Sequence, residues 1–387
     1  MYRYQHKLYE KEAIYIAGPE CFYTYGYDAL GAMKARANAL GFGVTLPNTH
    51  PLDLENPDKQ KRADSIFDDL DKVMKETTVI IADLEAYRGA EPDSGTIYEL
   101  GMAYAKGARC YGYTRDKRSL ATKNQKAYLK DQKVYDERGN VMPYAELPFS
   151  PTIIGSTKIV EGDFDDCLKM LMVDIEEEYK FKAGRAICVD HSCHVTETDK
   201  KRPLIYLAGF ERYDSNGEEV FARMKEICAK YGYEAISPLD RAPGVQETSS
   251  ENPYMKAMNL FDRFQQHVRN CDLIIANLND YRGYEINNDV AFECGMGFEL
   301  GKKLYGYLDV TSLIKNHMLH GVFREMERKN YPDEMVEAIR DTLDCNPVFH
   351  GNVVSINQMI GIMMGSIAVF GIIYYMVTLL SAGGGRR

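Results

Sequence analysis

The chain has 387 residues, 45% hydrophobic and 27% charged, which is long enough for two domains with a substantial core and excludes a disordered chain. Its 57 acidic and 47 basic residues leave a net charge of −10, a poor surface for a phosphate backbone, so no nucleic acid polymer is expected as a partner. The nine cysteines are odd in number and scattered, and Met1-Tyr2-Arg3-Tyr4-Gln5-His6-Lys7 is too polar for a signal sequence, so reduced thiols in a cytoplasmic setting are expected.

The first half covers residues 1–183. Ala13-Ile14-Tyr15-Ile16-Ala17 reads as a strand running into a tight turn at Gly18-Pro19-Glu20, where Gly18 lets the backbone approach whatever sits above the strand end. Tyr15 is either a half-buried strand aromatic or a functional hydroxyl. A helix over about 28–40 ends at Gly41 and Gly43, and Val44 to Pro47 forms a short second strand. In the loop that follows, Asn48 and His50 are ordinary turn residues or ligand contacts. A helix over 64–75 leads to Val79-Ile80-Ile81-Ala82-Asp83-Leu84, a buried strand ending in a carboxylate.

Glu91-Pro92-Asp93-Ser94-Gly95-Thr96-Ile97-Tyr98-Glu99-Leu100-Gly101 then opens a helix that Gly107 stops. Asp93 alone could be only an N-cap, and Glu99 alone a solvated helix residue. Together, Asp83, Asp93 and Glu99 gather at the carboxyl end of one strand and the start of the next helix, where open α/β sheets bind ligands. Gly95 and Gly101 lower helix propensity on both sides of Glu99, and a glycine one turn from a carboxylate allows close approach of a ligand. A strand over 110–115, a lysine-rich insertion over 117–133, a hairpin around 135–140, the segment Leu147-Pro148-Phe149-Ser150-Pro151 and an amphipathic helix over 163–179 complete the half.

Residues 184–202 read as a linker. Its Cys188, His191, Cys193 and His194 could hold zinc, but the pairs are interleaved and match no standard finger, so a polar linker is the favoured reading and no metal is expected. Residues 203–350 repeat the first half. Leu204 to Gly209 repeats Ala13 to Gly18, Leu273 to Leu278 repeats 79–84, and Tyr281-Arg282-Gly283 repeats Tyr87-Arg88-Gly89. The chemistry changes: Asn277 stands for Asp83, Asn287 for Asp93 and Phe210 for Pro19, while Tyr206 and Glu293 keep the places of Tyr15 and Glu99. An amide holds a base by hydrogen bonds but donates no acid proton at neutral pH, so this second site reads as degenerate, with Asp289 as a displaced stand-in.

The fold class expected is α/β: two tandem flavodoxin- or Rossmann-like domains with parallel central sheets, plus an apolar C-terminal helix. Met359 to Leu380 is 22 residues without a charge, within a wider apolar stretch over 353–380. A membrane span is favoured there, giving a membrane-anchored protein. A buried helix is the alternative, since Val348 to Met364 matches the closing helix of the first half.

The strand ending Ala82-Asp83-Leu84, followed by Tyr87-Arg88-Gly89 and the Glu91 to Gly101 stretch, resembles the nucleoside 2-deoxyribosyltransferases. The likeness covers both halves, with the full motif only in the first. It implies Glu99 as nucleophile, Asp93 and Asp83 as groups that protonate and orient the base, and Tyr15 holding Glu99. It also implies sugar contacts from the turn at Gly18 and Pro19, base contacts near Asn48, and Gly95 in the substrate site. The family has an Asn in an L-P-F-N segment that helps complete the sugar site; here that position is Ser150. Family members borrow residues from a neighbouring subunit, so a homo-oligomer or an intramolecular pseudo-dimer is implied.

The chemistry expected is cleavage of the N-glycosidic bond of a 2′-deoxynucleoside, with transfer of deoxyribose to another purine or pyrimidine base and no cofactor. An ionised Glu99 attacks C1′, and the second base attacks from the same side with net retention. Hydrolysis of the same bond, including in 5′-monophosphates, and a membrane-attached nucleotide sensor without catalysis are the alternatives.

Overall fold

Each half winds the same way around a five-stranded parallel sheet in a computed structural model, which describes residues 8–50, 52–182, 202–281, 285–309, 316–323 and 326–329. The first half runs β1 (Ala13–Ala17), α1 (Gly26–Ala39), β2 (Gly43–Thr45), α2 (Lys59–Glu76), β3 (Val79–Asp83), α3 (Ser94–Lys106) and β4 (Arg109–Thr114). A short α4 (Leu120–Lys123), the hairpin β5 (Tyr128–Lys130) and β6 (Lys133–Tyr135), α5 (Pro151–Ser156), β7 (Lys158–Glu161) and α6 (Phe164–Lys182) follow. The second half runs β8 (Leu204–Ala208), α7 (Gly217–Lys230), β9 (Glu234–Ile236), α8 (Pro253–Asn270), β10 (Leu273–Asn277), α9 (Asn288–Glu299), β11 (Lys303–Asp309), α10 (His317–Val322) and β12 (Met326–Lys329). The sheet orders are β2-β1-β3-β4-β7 and, in the same sense, β9-β8-β10-β11-β12. The α/β class, the parallel sheets and the tandem arrangement are as the sequence predicts.

Local chemistry accounts for the elements that carry the site. Ile14 to Ala17 are fully buried, as a central strand covered by helices on both faces requires. The Asp93 carboxylate caps α3 by accepting the Thr96 N–H at 2.8 Å, and Gly107 ends that helix at φ 84°, a conformation that costs other residues more.

Three local expectations change. The stretch expected as a lysine-rich insertion holds the β5–β6 hairpin, whose turn residues Asp131 and Gln132 have positive φ. The expected hairpin at 135–140 is a tighter turn, with Asp136 accepting the Arg138 and Asn140 N–H groups under a Tyr135–Val141 bridge. Strand β7 pairs with β4 and was not anticipated. The linker cysteines and histidines and the apolar 359–380 run lie outside the described residues. Among the described residues no helix is long and apolar enough to cross a membrane, and no group of acidic, Cys or His residues could hold a metal ion.

The halves share one hydrophobic core, in which Tyr15, Ile80 and Tyr98 belong to the same cluster as Tyr206, Ile274 and Phe292. At its centre α3 and α9 cross with their backbones touching. A side chain at Gly101 would run into the Phe292 carbonyl, and one at Gly295 into the Tyr98 carbonyl. Gly101 therefore serves helix packing rather than ligand approach, which corrects the sequence reading. Around this crossing the halves exchange elements: α10 packs on α2, and α5 packs on α8. Gly295→Ala must push the two helices apart, so it is expected to cost about 1–3 kcal/mol of stability. Urea unfolding measures this, and an unchanged midpoint would sink the crossing as a stabilising contact.

Candidate active site

The cleft over Glu99 has a volume of about 300 Å³. Tyr15, Gly95 and Glu99 form part of its lining, with Cys21, Phe22, Tyr27, Pro47, Leu52, Leu54, Arg62, Ile66 and Leu70. Two further lining residues, Asn316 and Met318, come from the second half. The Glu99 carboxyl is 8% exposed, and its Oε1 accepts the Tyr15 hydroxyl proton at 2.8 Å. Burial pushes Tyr15 well above its usual range, so it stays a donor. Burial likewise pushes Glu99 up to about 8, opposed by the Tyr15 hydrogen bond and reinforced by Asp93. Burial therefore favours Glu99 as the neutral acid, where the sequence predicted an ionised group.

Asp93 is buried with Oδ2 on the Thr96 N–H and hydroxyl, while Oδ1 has no protein partner. Burial, and then the nearby Glu285 charge, raise Asp93 to about 7. Glu285 belongs to the second half. It accepts the Ser94 N–H at 3.0 Å and the Ser94 hydroxyl at 2.8 Å, and pairs with Arg88 at 3.1 Å. Asp83 ends β3, accepts the Glu85 N–H on Oδ1 at 2.8 Å, and is raised to about 7 by burial and by Glu20.

The expected binding residues divide. Gly95 lies under the Asn316 amide nitrogen, with no room for a side chain between them. Gly18 makes room for the Glu20 side chain rather than for a ligand, and Pro19 is buried at the start of the turn that carries Glu20. Asn48 is exposed and outside the cleft lining, whereas its neighbour Pro47 is in it. His50 is tied down by its own N–H and ring nitrogen to Asp69. Ser150 is not in the Glu99 cleft. Its hydroxyl meets Thr152, which donates its N–H and hydroxyl to Asp289 of the second half.

The second half carries an asparagine, Asn316, where the first half has Ser150. Asn316 caps α10 as Ser150 begins α5, and the packing of α10 on α2 carries it to the first-half cleft. Sequence reading sought this residue within the first half; the repeat register would have found it in the second.

The second half retains the Tyr206–Glu293 hydrogen bond at 3.0 Å. Arg212, at the register of Cys21, then fills the space: its guanidinium binds both Glu293 oxygens at 2.5 and 2.7 Å, entirely buried. Asn287 only caps α9, and Asn277 bonds Glu211. Asp289 is consumed by Thr152 and Tyr213 and is no stand-in acid.

Because Glu99 and Asp93 bind protons more tightly folded than unfolded, they favour the fold at low pH. That contribution is complete below about pH 4 and is lost as pH rises through about 8. The melting temperature is expected to fall between about pH 5 and about pH 9, and less steeply in Glu99→Gln. Parallel slopes in the two proteins would remove Glu99 from this account.

A family model described as nucleoside 2-deoxyribosyltransferase matches residues 14–155 and again 205–346. Among curated proteins the chain is similar to uncharacterized protein C191.05c of Schizosaccharomyces pombe, 31% identical over 108 residues, 28% of this chain. The chain spans 50% of that relative's length. Among solved structures it is similar to a 2-desoxiribosyltransferase from Leishmania mexicana, 24% identical over 42% of this chain and 97% of that one, TM-score 0.32. It is also similar to the CMP N-glycosidase BcmB of Clostridium botulinum, 16% identical over 37% of this chain and 98% of that one, TM-score 0.24. The two matched stretches span more than half of the sequence, and the chain belongs to the nucleoside 2-deoxyribosyltransferase family.

Proposed function

We propose that the first half cleaves the N-glycosidic bond of 2′-deoxynucleosides through a covalent deoxyribosyl–Glu99 and passes the sugar to a second base. The observation that carries this reading is Glu99 itself: a buried carboxyl in a cleft, one oxygen held by Tyr15 and the other left for C1′. In the first step the Glu99–C1′ bond forms as the C1′–N bond breaks, and the departing base takes a proton. Asp93 supports this step, since its Oδ1 is a buried acid oxygen without a protein partner. The second base then attacks C1′ from the side the first one left and gives up a proton that replaces the first, as the Glu99–C1′ bond breaks and frees the Glu99 carboxylate. Phe22 and Tyr27 offer aromatic faces for a planar base at the cleft wall, and Asn316 offers an amide for a sugar hydroxyl.

The second half acts in this reading as the neighbour that completes the site. It brings Asn316 and Met318 to the cleft and Glu285 to the start of α3, while Arg212 occupies its own. Hydrolysis of deoxynucleoside 5′-monophosphates is a second reading, and Arg62 favours it as a cation in the cleft lining.

Mass spectrometry of the intact protein with 2′-deoxyinosine, with and without adenine, tests the chemistry. A deoxyribosyl adduct on Glu99 and new 2′-deoxyadenosine are expected. Adduct with free deoxyribose and no new nucleoside would replace transfer by hydrolysis. Glu99→Gln is expected to abolish both adduct and base release, Asp93→Asn to slow base release by about 10²–10⁴-fold, and Glu293→Gln to leave it near wild type. A loss in Glu293→Gln equal to that in Glu99→Gln would show the second half active.

The pH dependence follows from the raised groups. Attack needs Glu99 without its proton, so kcat/KM rises with pH toward about 8. Protonation of the base needs the proton held on Asp93 or Asp83, both raised to about 7, so kcat/KM falls above about 7. A bell with its maximum near about pH 7.5 is expected, and a plateau from about pH 5 to about pH 9 would contradict both assignments.

A further inference from the structure

The two halves differ in one group at the end of the third strand, and the difference acts as an internal control. In the first half Glu20 lies in the 3₁₀ turn Pro19–Phe22 directly after β1 and is 7% exposed. Its Oε1 accepts the Tyr113 hydroxyl from β4 at 3.0 Å, whereas its Oε2 is buried without a donor. Asp83 accepts the Glu85 N–H on one oxygen. Gly18 lies against both: a side chain there would collide with Glu20 Oε2 and touch the Asp83 Cβ. The two carboxyls thus face each other, Glu20 buried and Asp83 half-buried, and two charges held this way repel unless a proton lies between them.

The second half repeats the frame. Gly209 lies against Glu211, and Tyr307 donates to Glu211 Oε1 at 2.9 Å. In place of Asp83 stands Asn277, whose Oδ1 accepts the N–H two residues on and whose Nδ2 donates to Glu211 Oε1 at 2.8 Å. The amide NH₂ is therefore a permanent donor on a frame where a carboxyl becomes a donor only by taking a proton. The aligned backbone contacts make Asn277 a structural copy of neutral Asp83.

We propose that Glu20 is a positioning residue that holds Asp83 as its neutral acid, so that the first half stores one proton at the carboxyl ends of β1 and β3. The titratable groups facing the pair are Glu85 from the loop after β3, Tyr113 from β4, Cys21 and Tyr23 from the turn before α1, and Glu99 from α3. Among the described residues no lysine or arginine is hydrogen-bonded to either carboxyl. Burial and the Glu20 charge raise Asp83 to about 7, which agrees with the geometry.

The consequence for catalysis rests on the deoxyribosyl reading. As the C1′–N bond breaks, the base nitrogen gains the Asp83 proton, directly or through Asp93. The pair is left doubly charged and unstable, which favours recapture of a proton from the incoming base when the second C1′–N bond forms.

Infrared difference spectra of the full chain read the proton without needing turnover. Wild type minus Asp83→Asn at about pH 6 is expected to show a protonated-carboxyl band, which fades as pH rises through about 7. In Glu20→Gln the band is expected to fade at a lower pH than in wild type, because burial still favours the neutral acid but the neighbouring charge is gone. No band in the first difference, or a band that fades at the same pH in Glu20→Gln as in wild type, overturns the proposal. Asp83→Asn adopts the pattern of Asn277 and is expected to fold; should it not, Glu20→Gln against wild type carries the same test. If wild type shows the band but releases no base from any deoxynucleoside, the proton pair stands and the glycosidic reading falls. With an active wild type, Glu20→Gln is expected to move the alkaline limb of the kcat/KM profile at least about one pH unit lower with little change in KM. An unmoved limb removes the positioning role.

Discussion

The backbone contact between α3 and α9 is the constraint on which the rest depends. Both helices begin at the carboxyl ends of their own sheets and both carry their glutamate near the crossing point. Gly101 and Gly295 let the carbonyls of Phe292 and Tyr98 come within reach of the opposing helix, and no larger residue fits. Once the helices cross this closely, each half presents its surface to the mouth of the other. α10 brings Asn316 to the Glu99 cleft, and α5 brings Thr152 to Asp289. The reciprocal exchange follows from the approximate symmetry of two like folds packed face to face.

Fusion then permits the two sites to diverge, and the divergence is electrostatic. In the first half Asp83, Asp93 and Glu99 have hydroxyl and N–H donors rather than cations for partners, so burial raises all three. Groups poised in this way are what acid–base and nucleophilic chemistry at neutral pH requires, and they cost stability. In the second half Arg212 stands where Cys21 is small. It neutralises Glu293 in a bidentate buried pair and stacks on Phe264 at 4.5 Å. Asn277 removes a further charge, and Asn287 keeps only the cap. The second copy has thus exchanged a cleft for a filled core while keeping the shape that supports its partner.

The same contrast explains why the hydrogen bonds of Glu285 matter. Its carboxylate sits among Ser94 and Arg88 at the start of the first-half helix and its charge acts on Asp93. A residue of the second half thereby contributes to the proton affinity of the half that retains the full carboxylate set.

The strands, the helix that bears Glu99 and the duplication were legible from the sequence, because burial period, caps and turn glycines are local signals. So were Asp83, Asp93 and Glu99 as a group, since the strand–turn–helix spacing places them at one sheet edge, and the family resemblance added Tyr15 as the partner of Glu99. Glu20 passed unnoticed as part of a turn, because only the fold brings it against Asp83. Gly101 looked like a ligand contact, because a glycine needed for helix crossing and one needed for substrate look alike along the chain. Asn316 was sought at Ser150, since which copy supplies a shared residue depends on how the halves dock. Whether Glu99 is charged is likewise a tertiary fact: proton affinity follows from burial and from neighbours more than 80 residues away in sequence, such as Tyr15, and no local pattern encodes it.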